Sequence, residues 1–294
     1  MSALRALLAG VVDYAGLYPP AGLGMGAAVR NYAAYRTHDD SWMLGRFVVP
    51  AARLEEFTTE LRALGEQAAP EWRLSAVLGA DVEADIERVR AFNREHRGRA
   101  CADSLEGKVD SVEGIRRAAA ASGSSFTLFA ELPPSADAEM LIGAVKQAGV
   151  NAKLRTGGVT TAAFPTLESV VQFMRRCIGA GVRFKATAGL HHAVRGDYPL
   201  TYDAAAPTGP MFGFLNLLVA AGLLFSGRGD ADALAVLDER DPGAFTTTPT
   251  TIRWRDVVLD EDRLRALRDR ALVSFGSCSF TEPAAELHAL VLVP

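Results

Sequence analysis

The sequence predicts an α/β fold, a (β/α)8 or TIM barrel, and three observations lead there. Short apolar runs recur along the chain, helix-patterned segments separate them, and the runs reach eight within 294 residues. Strand, helix, strand at regular intervals implies parallel pairing, because parallel neighbours need a crossover connection. Eight such units in a chain of this length is the number at which a parallel sheet closes on itself. A doubly wound open sheet shares the same alternation and is the competing architecture. The nearest approach to a dinucleotide-binding turn, Gly22-Leu-Gly-Met-Gly26, follows a proline pair rather than a strand and reads as a loop.

The first strand, residues 11–17, is the weakest and ends at the Tyr18-Pro19-Pro20 break. Stronger runs follow at 44–50, 73–79, 103–109, 125–132, 151–155, 182–188 and 272–275. Between them, Leu54, Phe57, Leu61 and Leu64, and later Val170, Val171, Phe173, Met174 and Ile178, recur at helical spacing. Pro50 and Pro165 precede helical runs, Asp110 with Glu113 forms a capping-box pattern, and Gly149 and Gly181 stop helices just before strands.

The rhythm breaks once, between the seventh and eighth strands, where about 190–262 forms an elaborated loop region. It holds a long apolar helix at 210–224, a turn at 227–232, a second short helix and a Thr-rich stretch. In that stretch Thr-Ile-Arg-Trp-Arg-Asp-Val-Val reads as a small hairpin. The region reads as an insertion, so residues 1–294 are expected to form one barrel domain.

Composition narrows the function. Hydrophobic residues make up 49% and charged residues 22%, and the net charge of −4 is spread along an intermixed chain, which excludes the basic face that nucleic acids require. Asn216, Gly213 and Gly222 make the apolar helix a core or subunit-interface element rather than a membrane span, so a homo-oligomer is left open. The start of the chain lacks a convincing cleavage site, and Cys101, Cys177 and Cys278 fit neither a disulfide framework nor a zinc spacing; the expected location is cytoplasmic. Cys278 reads as a small buried thiol.

Side chains alternate across a strand, and this sorts the charges in these runs. Lys153 shares a face with Arg155, and Glu106 with Lys108. Thr127, Phe129 and Glu131 share another, as do Arg183, Lys185 and Thr187. Lys108, Glu131, Arg155 and Lys185 come late in their strands, at the end where such barrels carry chemistry, whereas Arg46 and Arg183 belong to ion pairs of the opposite face. The set counts four cations, Lys108, Lys153, Arg155 and Lys185, against two carboxylates, Glu106 and Glu131. A closed ion-pair network is the bland reading. A buried cationic surplus, however, asks for an anion from outside, and an acidic substrate supplies one. Two ammonium groups about 6–7 Å apart repel by roughly 2.5 kcal/mol at an effective dielectric of about 20, which lowers one lysine's pKa from about 10.4 and yields a nucleophilic amine.

The lysine-bearing strand ends, Ala-Lys153-Leu-Arg-Thr-Gly-Gly and Phe-Lys185-Ala-Thr-Ala-Gly-Leu, resemble the deoxyribose-phosphate aldolase type of class I aldolase. That family is a (β/α)8 barrel with a Schiff-base lysine on strand six and a second lysine on strand seven. The resemblance implies that Lys153 forms the Schiff base and Lys185 depresses its pKa, although the Phe184–Gly189 stretch fits the signature equally well and leaves the roles exchangeable. It also implies an anion-holding turn late in the barrel, here Gly276, Ser277 and Ser279. Arg155 stands where that family has a small residue, and Glu106 and Lys108 differ from its strand-four acid. The whole chain, with Asp13-Tyr-Ala-Gly-Leu-Tyr-Pro-Pro near its start, also resembles a family of bacterial proteins, a likeness that supplies no activity.

The expected function is a lyase of aldolase type that forms a lysine Schiff base with a small anionic carbonyl substrate bearing phosphate or carboxylate. Lys153 and Lys185 supply the amine, and His191 or Glu131 moves the proton. Arg155, Glu106, Lys108 and the Gly276–Ser279 turn bind the substrate, and no cofactor is implied. Asp13, Tyr14 and Tyr18 on the first loop, with Arg195, Asp197 and Tyr198 after the seventh strand, are further contact candidates. Two rivals stand. One is a metal-dependent lyase or hydrolase using Glu106, Glu131 and one of the adjacent His191 and His192, which point opposite ways in extended chain. The other is a non-catalytic binding or scaffold barrel.

Overall fold

Eight parallel strands close into a barrel. In the computed structural model, which describes residues 2–65, 71–133, 138–290 and 292, they are β1 (Val12–Tyr14), β2 (Leu44–Pro50), β3 (Trp72–Val77), β4 (Ala100–Lys108), β5 (Thr127–Leu132), β6 (Asn151–Arg155) and β7 (Phe184–Thr187), completed by the last strand of the chain. Before that strand come an antiparallel ribbon, β8 (Gly196–Pro199) with β9 (Thr208–Met211), and a three-stranded antiparallel sheet, β10 (Phe245–Thr247), β11 (Thr251–Trp254) and β12 (Val257–Asp260). The closing strand is β13 (Leu272–Ser277). The open-sheet alternative falls because β1 pairs on one side with β2 and on the other with β13, with Val12 opposite both Leu44 and Phe275.

The helices are α1 (Ala3–Leu8), α2 (Met25–Tyr35), α3 (Leu54–Ala63), α4 (Val82–Glu95), α5 (Val112–Ser122), α6 (Ala138–Gln147), α7 (Leu167–Ala180), α8 (Phe214–Phe225), α9 (Asp230–Leu237), α10 (Glu261–Arg270) and α11 (Thr281–Ala289). Their starts are chemically marked: the side chains of Asp81, Ser111, Thr166 and Asp260 accept from backbone N–H groups in the first turns of α4, α5, α7 and α10. The expected Asp110–Glu113 box is displaced by one residue, since Ser111 is the extended cap and its Oγ accepts from Gly114 N at 3.2 Å. Gly181 closes α7 in the left-handed conformation at φ 68°, where a side chain would be strained. Part of the Gly22–Gly26 stretch is not loop, because α2 starts at Met25 with Gly24 as its cap.

The apolar stretch expected as a helix over 210–224 divides. Residues 208–211 form β9, and the helix starts at Phe214, after the Gly213 cap. From Phe214 to Leu224 every residue of α8 is buried within this chain, so its apolarity is that of a core helix. Asn216 explains how a polar residue survives there. Its Nδ2 donates to Val236 O and Glu239 O at 2.7 and 2.8 Å, and its Oδ1 accepts from Arg195 N at 2.9 Å. No helix among the described residues is long and apolar enough to cross a membrane.

An aromatic cluster of Tyr14, Tyr32, Phe47, Phe57 and Trp72, with neighbouring centroids 4.9–6.1 Å apart, fills the space outside β1–β3. At the amino ends of the strands Arg46 pairs with Asp103 at 2.6 Å, and Arg73 joins the same carboxylate. Arg46 thus takes the expected bottom-face role, whereas Arg183, just ahead of β7, is exposed.

Replacing Asn216 by Ala strands two carbonyls and one amide in the interior. A loss of about 2–4 kcal/mol is expected, read as a lower midpoint in urea denaturation with an unchanged slope.

Candidate active site

The charged residues of the barrel interior converge, and they alternate in sign. Lys153, on β6, places its Nζ 2.7 Å from Glu106 Oε2 and 2.8 Å from Glu131 Oε2. Lys185, its register partner on β7, pairs with the other Glu106 oxygen, Oε1, and with Asp13 Oδ2 at 2.8 Å. Arg155 Nε closes the series on Glu131 Oε1 at 3.1 Å. The line runs Asp13, Lys185, Glu106, Lys153, Glu131, Arg155. Both lysines meet one carboxylate, so both point to the inside, as strand alternation predicts. Phe129 points inward with them, its ring centroid 5.1 Å from Lys185 Nζ.

Two serines that sequence reasoning passed over complete the floor. Ser75 Oγ donates to Glu106 Oε1 at 2.6 Å, and Ser274 Oγ donates to Asp13 Oδ2 at 2.7 Å. Asp13 itself is no loop residue. It lies within β1, accepts the Arg46 N–H at 2.8 Å on Oδ1, and is approached so closely by the backbone at Gly45 that a Cβ there would sit 2.4 Å from the carboxylate. Only glycine fits that crossing of β1 and β2.

The expected charge surplus is therefore smaller than the sequence suggests. Asp13 is a third interior carboxylate, which makes four cations against three. The remaining positive charge sits on Lys108, which is exposed at the mouth rather than buried. The drop in pKa expected for one of the two lysines does not fall on Lys185. Burial works against its ammonium, but Asp13 and Glu106 outweigh burial and hold its pKa above the ordinary value. Burial would also raise the Glu106 carboxyl, yet Lys153 and Lys185 keep it well below the usual range. Glu131 shows the same balance, lowered by Lys153 and then Arg155 against its burial.

This floor is open to a cavity of about 410 Å³ at the carboxyl ends of the strands, a size ordinary for small-molecule sites. Glu106, Lys108, Glu131, Lys153, Arg155, Lys185, His191 and Gly276 all line it. Ser277 and Ser279 do not. Ser277 Oγ lies 3.4 Å from His191 Nδ1 and accepts from Ser279 N, while Ser279 Oγ accepts from Glu282 N at the start of α11. The hydroxyls expected to hold an anion are engaged within the chain.

His191 and His192 do point opposite ways. His191 faces the cavity, with Nδ1 3.6 Å from Cys278 Sγ, and burial followed by the neighbouring His192 pushes its pKa down to about 4 against a smaller pull from Glu286. The ring is neutral at pH 7. His192 bonds Glu286 and stacks on Tyr198. Cys278 lines the cavity as a thiol, its pKa raised by burial. Of the loop candidates, Tyr18 lines the cavity, its hydroxyl buried and without a hydrogen-bond partner among the described residues. Tyr14 packs in the aromatic cluster. Arg195, Asp197 and Tyr198 serve the loop region, through Asp238, Arg240 and Val194 O respectively.

The mouth carries local strain. Ala188, directly after β7, has φ 67°, which is uncommon for a residue with a side chain, and Thr156 Oγ1 holds it by donating to Ala188 O at 2.7 Å. For the metal reading, no group of three His, Cys, Asp or Glu side chains among the described residues is placed to hold an ion. Glu106 and Glu131 face ammonium groups, and His191 faces Ser277 and Cys278.

No protein-family model matches the chain, and no curated protein matches it. Two crystal structures of mandelate oxidase match the chain in part, one with 3,3-difluoro-2-hydroxy-3-phenylpropionic acid and one of a single-residue variant with benzoyl-formic acid. Each is 11% identical and covers 77% of this chain and 70% of that one, with TM-scores of 0.38 and 0.37.

Replacing Glu106 by Gln leaves Lys153 and Lys185 with one carboxylate each and is expected to cost about 3–5 kcal/mol at neutral pH in urea melts. Glu106 binds its proton more weakly in the folded chain than in the unfolded one. Its contribution is therefore complete above the unfolded value of about 4.3 and is withdrawn as pH falls below it. Stability measured from pH 6 downward should fall less steeply in the variant than in the parent.

Proposed function

We propose that the chain is a lyase of the class I aldolase type, in which Lys153 forms a Schiff base with a small carbonyl substrate carrying an anionic group. The observation that carries this reading is the carboxylate of Glu106 shared between Lys153 and Lys185, register partners within adjacent barrel strands rather than at the strand ends expected for Lys185, and open to a cavity. A fixed cation beside a lysine favours its neutral form, and a carboxylate in contact with it can accept the proton that leaves.

The two lysines differ in their anchoring, and this divides the roles. Lys185 is the deeper, held by Asp13, which is itself fixed by Ser274 and the Arg46 amide, and its raised pKa keeps it charged. It is the permanent cation. Lys153 shares Glu131 with Arg155, and that partnership responds to substrate. When the substrate's anionic group draws Arg155 away, Glu131 loses one of the two cations that hold its pKa down. Its proton affinity rises, and the Lys153 ammonium passes it a proton.

The neutral amine then attacks the carbonyl carbon. A C–N bond forms, the carbonyl π electrons move to oxygen, and that oxygen leaves as water after taking up two protons, one passed from the attacking nitrogen and one returned from Glu131. In the resulting iminium the bond between the α carbon and the hydroxyl-bearing β carbon breaks, its electron pair is drawn into the C=N⁺ unit to give an enamine, and the hydroxyl proton of the departing carbonyl product goes to a base. Neutral His191, facing the same cavity, or Glu131 takes that proton. Protonation of the enamine at the α carbon and addition of one water then release the second product and restore the lysine.

Reduction with borohydride during incubation with a panel of aldehydes and ketones, read by intact mass, tests the proposal. A single adduct is expected, at Lys153. Lys153→Met should abolish it, and Lys185→Met should slow it at least tenfold, about 1.4 kcal/mol in barrier, while leaving the attachment site unchanged. Absence of adduct across the panel sinks the reading, and an adduct that persists in Lys153→Met reverses the roles.

A further inference from the structure

The cavity is two-faced. The arc from β4 to β7 carries all of its charged strand residues, Glu106, Lys108, Glu131, Lys153, Arg155 and Lys185. The adjoining arc, β1 to β3, is apolar: Val48 from β2, Val77 and Leu78 at the end of β3, and Pro20 after β1, while Leu200 and Met211 reach the cavity from the β8–β9 ribbon that follows β7. Among the described lining residues there is no Ser, Asn or Gln, and beyond Tyr18 the one hydroxyl is that of Thr187. A sugar phosphate or other polyol with its carbonyl at Lys153 would press a chain of hydroxyls against valine, leucine and methionine side chains. Each hydroxyl so buried loses its water without gaining a partner. Such a wall is matched by a carbon skeleton.

The charge pattern limits the anion as well. Lys108 and Arg155 stand two residues beyond Glu106 and Lys153 on their own strands, one pleat repeat of about 7 Å nearer the mouth. An anionic group held there lies close to the carbonyl under attack. A carboxylate directly bonded to that carbonyl satisfies this spacing and also suits the guanidinium of Arg155.

We infer that the substrate class is an α-oxo acid with an apolar body, aryl or branched alkyl, rather than a hydroxylated sugar phosphate. This rests on the Schiff-base reading for the position of the carbonyl, whereas the apolar arc stands independently of it. The carbonyl and carboxylate lie toward the β4–β7 arc, and the side chain lies toward Val48, Val77 and Leu78.

The test compares phenylpyruvate with ketodeoxygluconate, two α-oxo acids that differ in the body they carry, by borohydride trapping and by the ligand-induced shift of the melting temperature. Half-saturation about tenfold or more lower for phenylpyruvate is expected in both measurements. Val77→Thr, which keeps the shape of the wall and adds a hydroxyl to it, should narrow the ratio several-fold. Equal or better trapping of ketodeoxygluconate overturns the inference and leaves the Schiff base intact. A melting shift with phenylpyruvate but no adduct from either compound retains the apolar selectivity and removes the Schiff base. Neither shift nor adduct overturns both, and a ratio unaltered in Val77→Thr overturns the assignment of the wall.

Discussion

One carboxylate organises the interior of this barrel. Glu106 stands between two ammonium groups, and neither could stay buried as it does without it, since an unpaired buried charge costs far more than an exposed one. Ser75 helps to fix that carboxylate, Asp13 takes the far side of Lys185, and Glu131 takes the far side of Lys153. The consequence is an interior that is nearly neutral yet densely polar, built where most barrels of this size pack branched aliphatic layers. A barrel that gives up such layers for an ion series sacrifices hydrophobic stabilisation, and the cavity above the series is what makes the exchange intelligible as chemistry.

The gradient along the series matters as much as its membership. At the Asp13 end every group is fixed by a second contact from the protein, including the backbone at Arg46 and the close approach at Gly45. At the Arg155 end the last cation is half-exposed and rests on a single carboxylate oxygen. Rigid charge at one end and displaceable charge at the other is an arrangement in which an incoming anion shifts protons locally without unsettling the fold.

Much of this was legible in the sequence, for identifiable reasons. The barrel announced itself through apolar runs alternating with amphipathic segments, and the inward face of β4, β6 and β7 through charges two positions apart in those runs. Lys153, Lys185, Glu106 and Glu131 were conspicuous because charge is rare inside apolar strands. Asp13 was not, because β1 is only three residues long and gives alternation too little length to declare a face. Missing it had a specific effect. Without the third carboxylate the lysines looked mutually repulsive, and the expectation that one of the two would lose its proton followed from that. Ser277 and Ser279 were misread for another reason: a Ser-rich turn has the composition of an anion site whether its hydroxyls face a cavity or cap the next helix. Ser75 and Ser274, small polar residues within the third and eighth strands, carried a faint signal of the same kind as the lysines. The ribbon that brings Met211 over the cavity had none, since β8 and β9 are short and rich in Gly and Pro.

Asp13 and Lys185 are 172 residues apart in the chain, and Ser274 and Asp13 are 261 apart. Neither contact exists until β1 has met β13, so while the barrel is still an open sheet one ammonium lacks half of its compensation. Docking of the final strand then brings pairing of that ammonium and completion of the ring in a single event. Partly assembled forms are penalised for having a seam, and the strand pairing that closes the longest loop of chain is also the one that leaves the polar centre electrically complete.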